Sequence, residues 1–221
     1  MKYIIFDIDG TLTDTTEVDD KCYTKAIEDV FGFHNFETNY GHYKNTTDSG
    51  IIDQLFRERM ERSYTPEEQQ LFISHFCSLL EEAHRNESIR EINKAAKVIE
   101  VLCQQEHISV GLATGGWRES ALFKLNCAGI NIDGCTAASF AQDAMARHEI
   151  ISHTIRRMNE VHNIVPESIV YVGDGNWDYL ATKQLGIQFI GIENKKIAHL
   201  NDIIKIADYD EIHQHIGVYA D

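Results

Sequence analysis

An α/β fold is predicted for this chain: a doubly wound, mostly parallel sheet with an all-helical insert after its first strand. Three observations predict it. Short apolar runs recur without polar alternation, helical patterns separate most of them, and residues 16–87 carry helical patterns with no strand between them.

The runs at 3–8, 108–113, 168–172 and 187–192 read as buried parallel strands. A strand covered on both faces needs apolar side chains in both directions, so the usual alternation is lost. Weaker candidates lie at 135–138 and near 206–209.

Helices fill the intervals. Residues 91–106 place Ile92, Ala95, Ala96, Ile99 and Cys103 on one stripe, and residues 149–162 do the same with Ile151, Ile155, Met158 and His162. Residues 118–128 carry Ala121, Leu122 and Leu125 and stop at Gly129, a natural helix terminator.

The insert has three helical stripes. Tyr23, Ala26, Ile27, Val30 and Phe31 form the first, and Ile52, Leu55 and Phe56 the second. The third has a full start signal: Thr65 as N-cap, Pro66 at the first helical position and Glu68 closing a capping box. Its apolar face holds Phe72, Phe76, Leu79 and Ala83.

Composition narrows the function. The 221 residues fit one large domain or a core domain with a small partner. A net charge of −15 argues against nucleic acid or an anionic membrane surface as partner, since both need a basic face. No apolar stretch approaches the roughly 20 residues of a membrane span, and the apolar run at the start ends at Asp7, too soon for a signal peptide. Five cysteines, odd in number and without a CxxC pair, fit a reduced, cytoplasmic setting. A monomer or homodimer is expected.

Three expected strands end in polar, glycine-rich sequence: FDIDGTLTD from Phe6, LATGG from Leu112 and VGDGNWD from Val172. Ligands of open parallel sheets sit beyond such carboxyl ends. Asp7 and Asp9 are two residues apart in extended chain, so both can point to one side. If Asp174 and Asp178 join them, four carboxylates meet, and a hard divalent cation with oxygen ligands relieves their repulsion. Thr114 and Gly115 offer a hydroxyl and backbone N–H groups to an anion. Each segment alone reads as an ordinary turn. All three at strand ends, in this order, read as one site.

Those three segments resemble motifs one, two and four of the haloacid dehalogenase-like hydrolases. The resemblance covers residues 1–14 and about 89–192. It implies a Rossmann-like core domain at 1–15 and 88–221, and a helical cap domain at 16–87 of the phosphoglycolate-phosphatase and β-phosphoglucomutase type. It also implies a Mg²⁺-dependent phosphatase acting on a small phosphorylated metabolite through an aspartyl phosphate. Asp7 would be the nucleophile and Asp9 the general acid and base. Thr114, with Gly115, would bind the phosphoryl group. Asp7, the Asp9 carbonyl and Asp174 would hold Mg²⁺, with Asp178 ligating or supporting it.

The family's third motif usually supplies a lysine. Here Ala146-Arg147-His148-Glu149-Ile150 opens a helix, and Arg147 is the positional candidate, able to grip phosphate and the nucleophile carboxylate together. Asp9 favours phosphoryl transfer over dehalogenation, because a halide leaves without a proton. A phosphomutase and a non-catalytic binding protein on the same fold are the alternatives. Substrate choice is expected to lie in the polar segment 41–50, where His42, Lys44 and Thr47 are candidate contacts and where Thr47 or Asp48 could instead cap the next helix. Trp117 and Trp177 each follow a motif and would pack against the site or anchor a helix.

Overall fold

The computed structural model describes residues 1–216. Five of its strands and five helices build the sheet and its faces: β1 (Lys2–Phe6), α4 (Ala95–Cys103), β2 (Ile108–Ala113), α5 (Arg118–Cys127), β3 (Ala137–Ser139), α6 (Arg147–His162), β4 (Ser168–Gly173), α7 (Asn176–Leu185), β5 (Gln188–Ile192) and α8 (Ile212–Ile216). A short β6 (Ile204–Ile206) completes the sheet. Between β1 and α4 lie α1 (Thr16–Phe31), α2 (Asp48–Met60) and α3 (Pro66–Asn86).

The strands order as β3-β2-β1-β4-β5-β6, and every pairing is parallel. Phe6 is level with Leu112 on one side and with Val172 on the other. The residues after these three therefore emerge together, at the point where the chain turns from one half of the sheet to the other.

The two faces explain the unbroken apolar runs. Ile4, Phe6, Val110, Leu112 and Val172 pack under α4 and α5 in one core cluster. Their neighbours Tyr3, Ile5 and Tyr171 point the other way, into a second cluster with Ile150, Ile151 and Met158 of α6. Each such side chain contributes roughly 1.5–3 kcal/mol by leaving water. A third cluster joins α1, α2 and α3 through Tyr23, Phe56, Phe72 and Phe76, and includes Trp117, the residue before α5. The capping box of Thr65 and Glu68 starts α3 where the sequence places it.

Several boundaries differ from expectation. The helix expected from residue 91 begins at Ala95, because residues 90–92 pair with the chain beyond β1: Asp14 N–H donates to Arg90 O, and Ile92 N–H to Leu12 O, each at 2.9 Å. The Glu91 carboxylate accepts the Ala96 N–H and so serves the helix from outside it. The first strand stops at Phe6 because the chain folds back on itself, with Thr11, Leu12 and Thr13 all donating to Ile8 O. The outer strands sit at 137–139 and 204–206, their ends shifted by one to three residues, and Tyr209 lies in a 3₁₀ turn.

Candidate active site

The loop leaving β1 is held tightly over the strand ends. Gly10 has φ of +71°, and a Cβ there would fall 2.2 Å from Asp174 Oδ2, so both backbone shape and space demand glycine. Asp7 N–H donates to Val172 O at 2.9 Å and Thr114 N–H to Ser139 O at 3.1 Å, so sheet-like bonds carry both residues past their strands.

Asp7 is buried, and Arg147 meets it fork to fork: Nη1 donates to Oδ1 at 3.2 Å and Nη2 to Oδ2 at 3.5 Å. Arg147 opens α6 and is itself buried. Its Nε lies 3.1 Å from Asp178 Oδ1, an ion pair whose angle is too poor for a hydrogen bond. Asp178 is fixed further by the Gly175 N–H at 3.1 Å and the Tyr171 hydroxyl at 3.3 Å. Burial alone would push the Arg147 guanidinium down, but the Asp7 and Asp178 carboxylates more than reverse this.

Asp174 caps the third strand end. Lys196, in the loop after β5, donates to its Oδ2 at 2.7 Å, and Asn194 donates to its backbone carbonyl at 2.8 Å. Its Oδ1 is buried with no hydrogen-bond partner among the described residues. Burial, aided by the Asp7 charge, pushes the Asp174 carboxyl up to about 6, although Lys196 and Arg147 pull against it. Asp178 is raised too, by burial first and then by Asp7 and Asp174.

One oxygen each from Asp7, Asp174 and Asp178 lies within 4.8 Å of the others. Three hard oxygen donors, one of them unpartnered and all buried, fit the ligand set of a divalent cation such as Mg²⁺. Protonation is the other way to relieve the crowding, and the raised Asp174 and Asp178 values express it.

Asp9 stands beside this group. Thr15 donates to its Oδ1 at 2.5 Å, and the Lys124 ammonium lies 2.6 Å from Oδ1 and 2.7 Å from Oδ2. A Cβ built on Gly116 would be 3.6 Å from both Asp9 Oδ2 and Thr114 Oγ1, so Asp9 and Thr114 face one another across a bare glycine. Asp7, Asp9, Thr114, Gly115 and Arg147 all line one cavity of about 210 Å³. The helical insert closes it with Asp19, Asp20, Tyr40, Thr46 and Asp48.

The structure thus brings together all the core residues singled out in the sequence. The insert residues divide. His42 and Lys44 line a wider cavity of about 560 Å³, which shares Arg147, Trp177 and Lys196 with the first. His42 is tied to Glu37 and Asn39, while Thr47 is buried as the N-cap of α2, accepting the Gly50 N–H and donating to Met145 O. Thr47 is absent from the lining of both cavities, and its neighbours Thr46 and Asp48 face the smaller one. Trp117 is fully buried, whereas Trp177 lines both cavities with the Lys196 ammonium 5.1 Å from its ring centre.

Sequence reasoning missed Lys124, Lys196 and Asp48. Lys124 left a signal: it lies on the stripe of Ala121 and Leu125, where a solvated lysine has no place. Lys196 left none, because only the adjacency of β4 and β5 carries its loop to Asp174.

The family model for haloacid dehalogenase-like hydrolases matches residues 4–192. No curated protein matches the chain. Among solved structures, a hydrolase from Pseudomonas syringae is 17% identical, with a TM-score of 0.73 and all of each chain covered. A predicted phosphoglycolate phosphatase from Haemophilus somnus is 18% identical over 98% of each chain, with a TM-score of 0.66. CbbY from Rhodobacter sphaeroides, solved in complex with phosphate, is 16% identical over 95% of each chain, with a TM-score of 0.70. At these identities the likeness is one of fold.

Proposed function

The chain belongs to the haloacid dehalogenase-like hydrolases, and from that premise we propose that it is a Mg²⁺-dependent phosphatase of small phosphorylated metabolites, working through an aspartyl phosphate on Asp7. The observation that carries the reading is the buried Asp7 carboxylate, held by Arg147 in one cavity with Asp9, Thr114 and Gly115.

In this reading residues 1–15 and 88–221 form the core and residues 16–87 the cap over it, residues 217–221 lying outside the described residues. Among the described residues no helix is long and apolar enough to cross a membrane. The odd, scattered cysteines support a cytoplasmic setting.

Thr114, Gly115 and Arg147 bind and orient the phosphoryl group, Arg147 by its planar fork and Thr114 by its hydroxyl. An Asp7 oxygen forms a bond to phosphorus as the bond from phosphorus to the leaving oxygen breaks, and Asp9 gives that oxygen a proton. Asp9 then takes a proton from water as the water oxygen attacks phosphorus. The Asp7–phosphorus bond breaks, and inorganic phosphate leaves with Asp7 and Asp9 restored.

Asp7, the Asp9 carbonyl, Asp174 and Asp178 are the groups that would hold Mg²⁺. When bound, the ion supplies positive charge that lets a phosphate dianion approach so many carboxylates.

The test is release of inorganic phosphate from a panel of phosphorylated metabolites and an aryl phosphate, with Mg²⁺ and with chelator. Mg²⁺-dependent release is expected. Transfer of the phosphoryl group to a second sugar hydroxyl would make the protein a phosphomutase instead, and inertness on the whole panel would contradict the proposal.

A further inference from the structure

A lysine with no exposed surface stands behind Asp9. Lys124 projects from α5 and is 0% exposed. Its ammonium lies within 2.7 Å of both Asp9 oxygens and 2.5 Å from Asp19 Oδ1 on α1. Thr15 bonds Asp9 Oδ1 from another direction. The Asp9 carboxylate is thus held by a hydroxyl at one oxygen and by an ammonium across both, and Asp19 anchors that ammonium from its far side.

Packing alone gives no reason for a lysine here. Taking an ammonium out of water costs several kcal/mol, and an apolar side chain of similar length would fill the space without that cost. Nor does Lys124 line the cavity; Asp9 does. Whatever Lys124 contributes to chemistry must pass through the carboxylates it holds, Asp9 and Asp19, and of these Asp9 is the one given a proton-transfer role.

We propose that Lys124 is a positioning residue, which with Thr15 aims the Asp9 carboxyl at the leaving oxygen of the substrate. This rests on the phosphatase reading above, in which Asp9 moves protons. A proton donor aimed wrongly harms only the esters whose leaving oxygen needs a proton. An alkoxide needs one, whereas p-nitrophenolate leaves readily without.

Lys124→Met, studied in single turnovers with Mg²⁺, tests this. Alcohol release from an alkyl phosphate is expected to fall about 100-fold, while p-nitrophenolate release from the aryl ester changes by less than about threefold. Because so buried a change can unfold the protein, Thr15→Val provides a second arm. It leaves the Lys124–Asp19 pair intact, and the same ester-selective loss is expected at about tenfold. Equal losses on the two esters, or no loss on either, in whichever variant folds, would overturn the positioning role. A wild-type protein inert on both esters would overturn the phosphatase reading and this inference together.

Discussion

Arg147 grips both oxygens of Asp7 with the two terminal nitrogens of its guanidinium, at 3.2 and 3.5 Å, inside a site where both side chains are buried. The pair links α6 to the end of β1, and the same guanidinium reaches Asp178 beyond β4. One side chain therefore balances two of the three clustered carboxylates.

Removing that charge should be felt in stability as well as in turnover. Arg147→Met is expected to cost about 3–5 kcal/mol, because it strands buried carboxylates. In the proposed function those same carboxylates hold Mg²⁺, so Mg²⁺ should restore part of the loss. Urea unfolding with and without Mg²⁺ measures both effects. A variant as stable as wild type in chelator would mean that the carboxylates are not held apart by Arg147.

The raised Asp174 carboxyl predicts a pH dependence in metal-free protein. Its folded value of about 6 exceeds the ordinary 3.8, so the folded form binds its proton more tightly than the unfolded chain does. Stability from this group is full below 3.8 and is lost as pH rises through about 6, by on the order of 3 kcal/mol. In chelator, the thermal midpoint should rise as pH falls from about 8 to about 5, and the rise should be smaller in Asp174→Asn. Saturating Mg²⁺ should stabilise most at the alkaline end, where fewer protons compete for the site. An Asp174→Asn profile parallel to wild type would contradict this account.

Far from the site, the Thr65–Glu68 capping box gives a prediction with the opposite profile. Thr65→Ala is expected to cost about 1 kcal/mol by leaving the Glu68 N–H of α3 without its cap. Turnover should stay unchanged, since neither residue lines the cavity. Chemical denaturation and a phosphatase assay on the same preparation check both halves.

The parts readable in the sequence are those fixed by local chemistry. The run 108–113 is a strand because all six of its residues are buried, and α3 starts at Pro66 because Thr65 and Glu68 leave it no other start. Asp7, Thr114 and Asp174 share a site because each directly follows or ends one of three adjacent strands in matching register. What the sequence hid depends on distant partners. Residues 91 and 92 have a helical pattern but are tethered to the chain around Leu12. Thr47 has the right chemistry for a substrate contact, yet its hydroxyl is used up by Gly50 and Met145. Lys196 reaches Asp174 only because β5 lies next to β4.

Nucleophilic attack by Asp7 is most directly tested by acid-quenching a single turnover with radiolabelled substrate and mapping the label along the chain. A covalent phosphate on the peptide containing Asp7, which chases into inorganic phosphate and is missing in Asp7→Asn, is the predicted result. Turnover that proceeds with no label on that peptide, or that survives in Asp7→Asn, would contradict it.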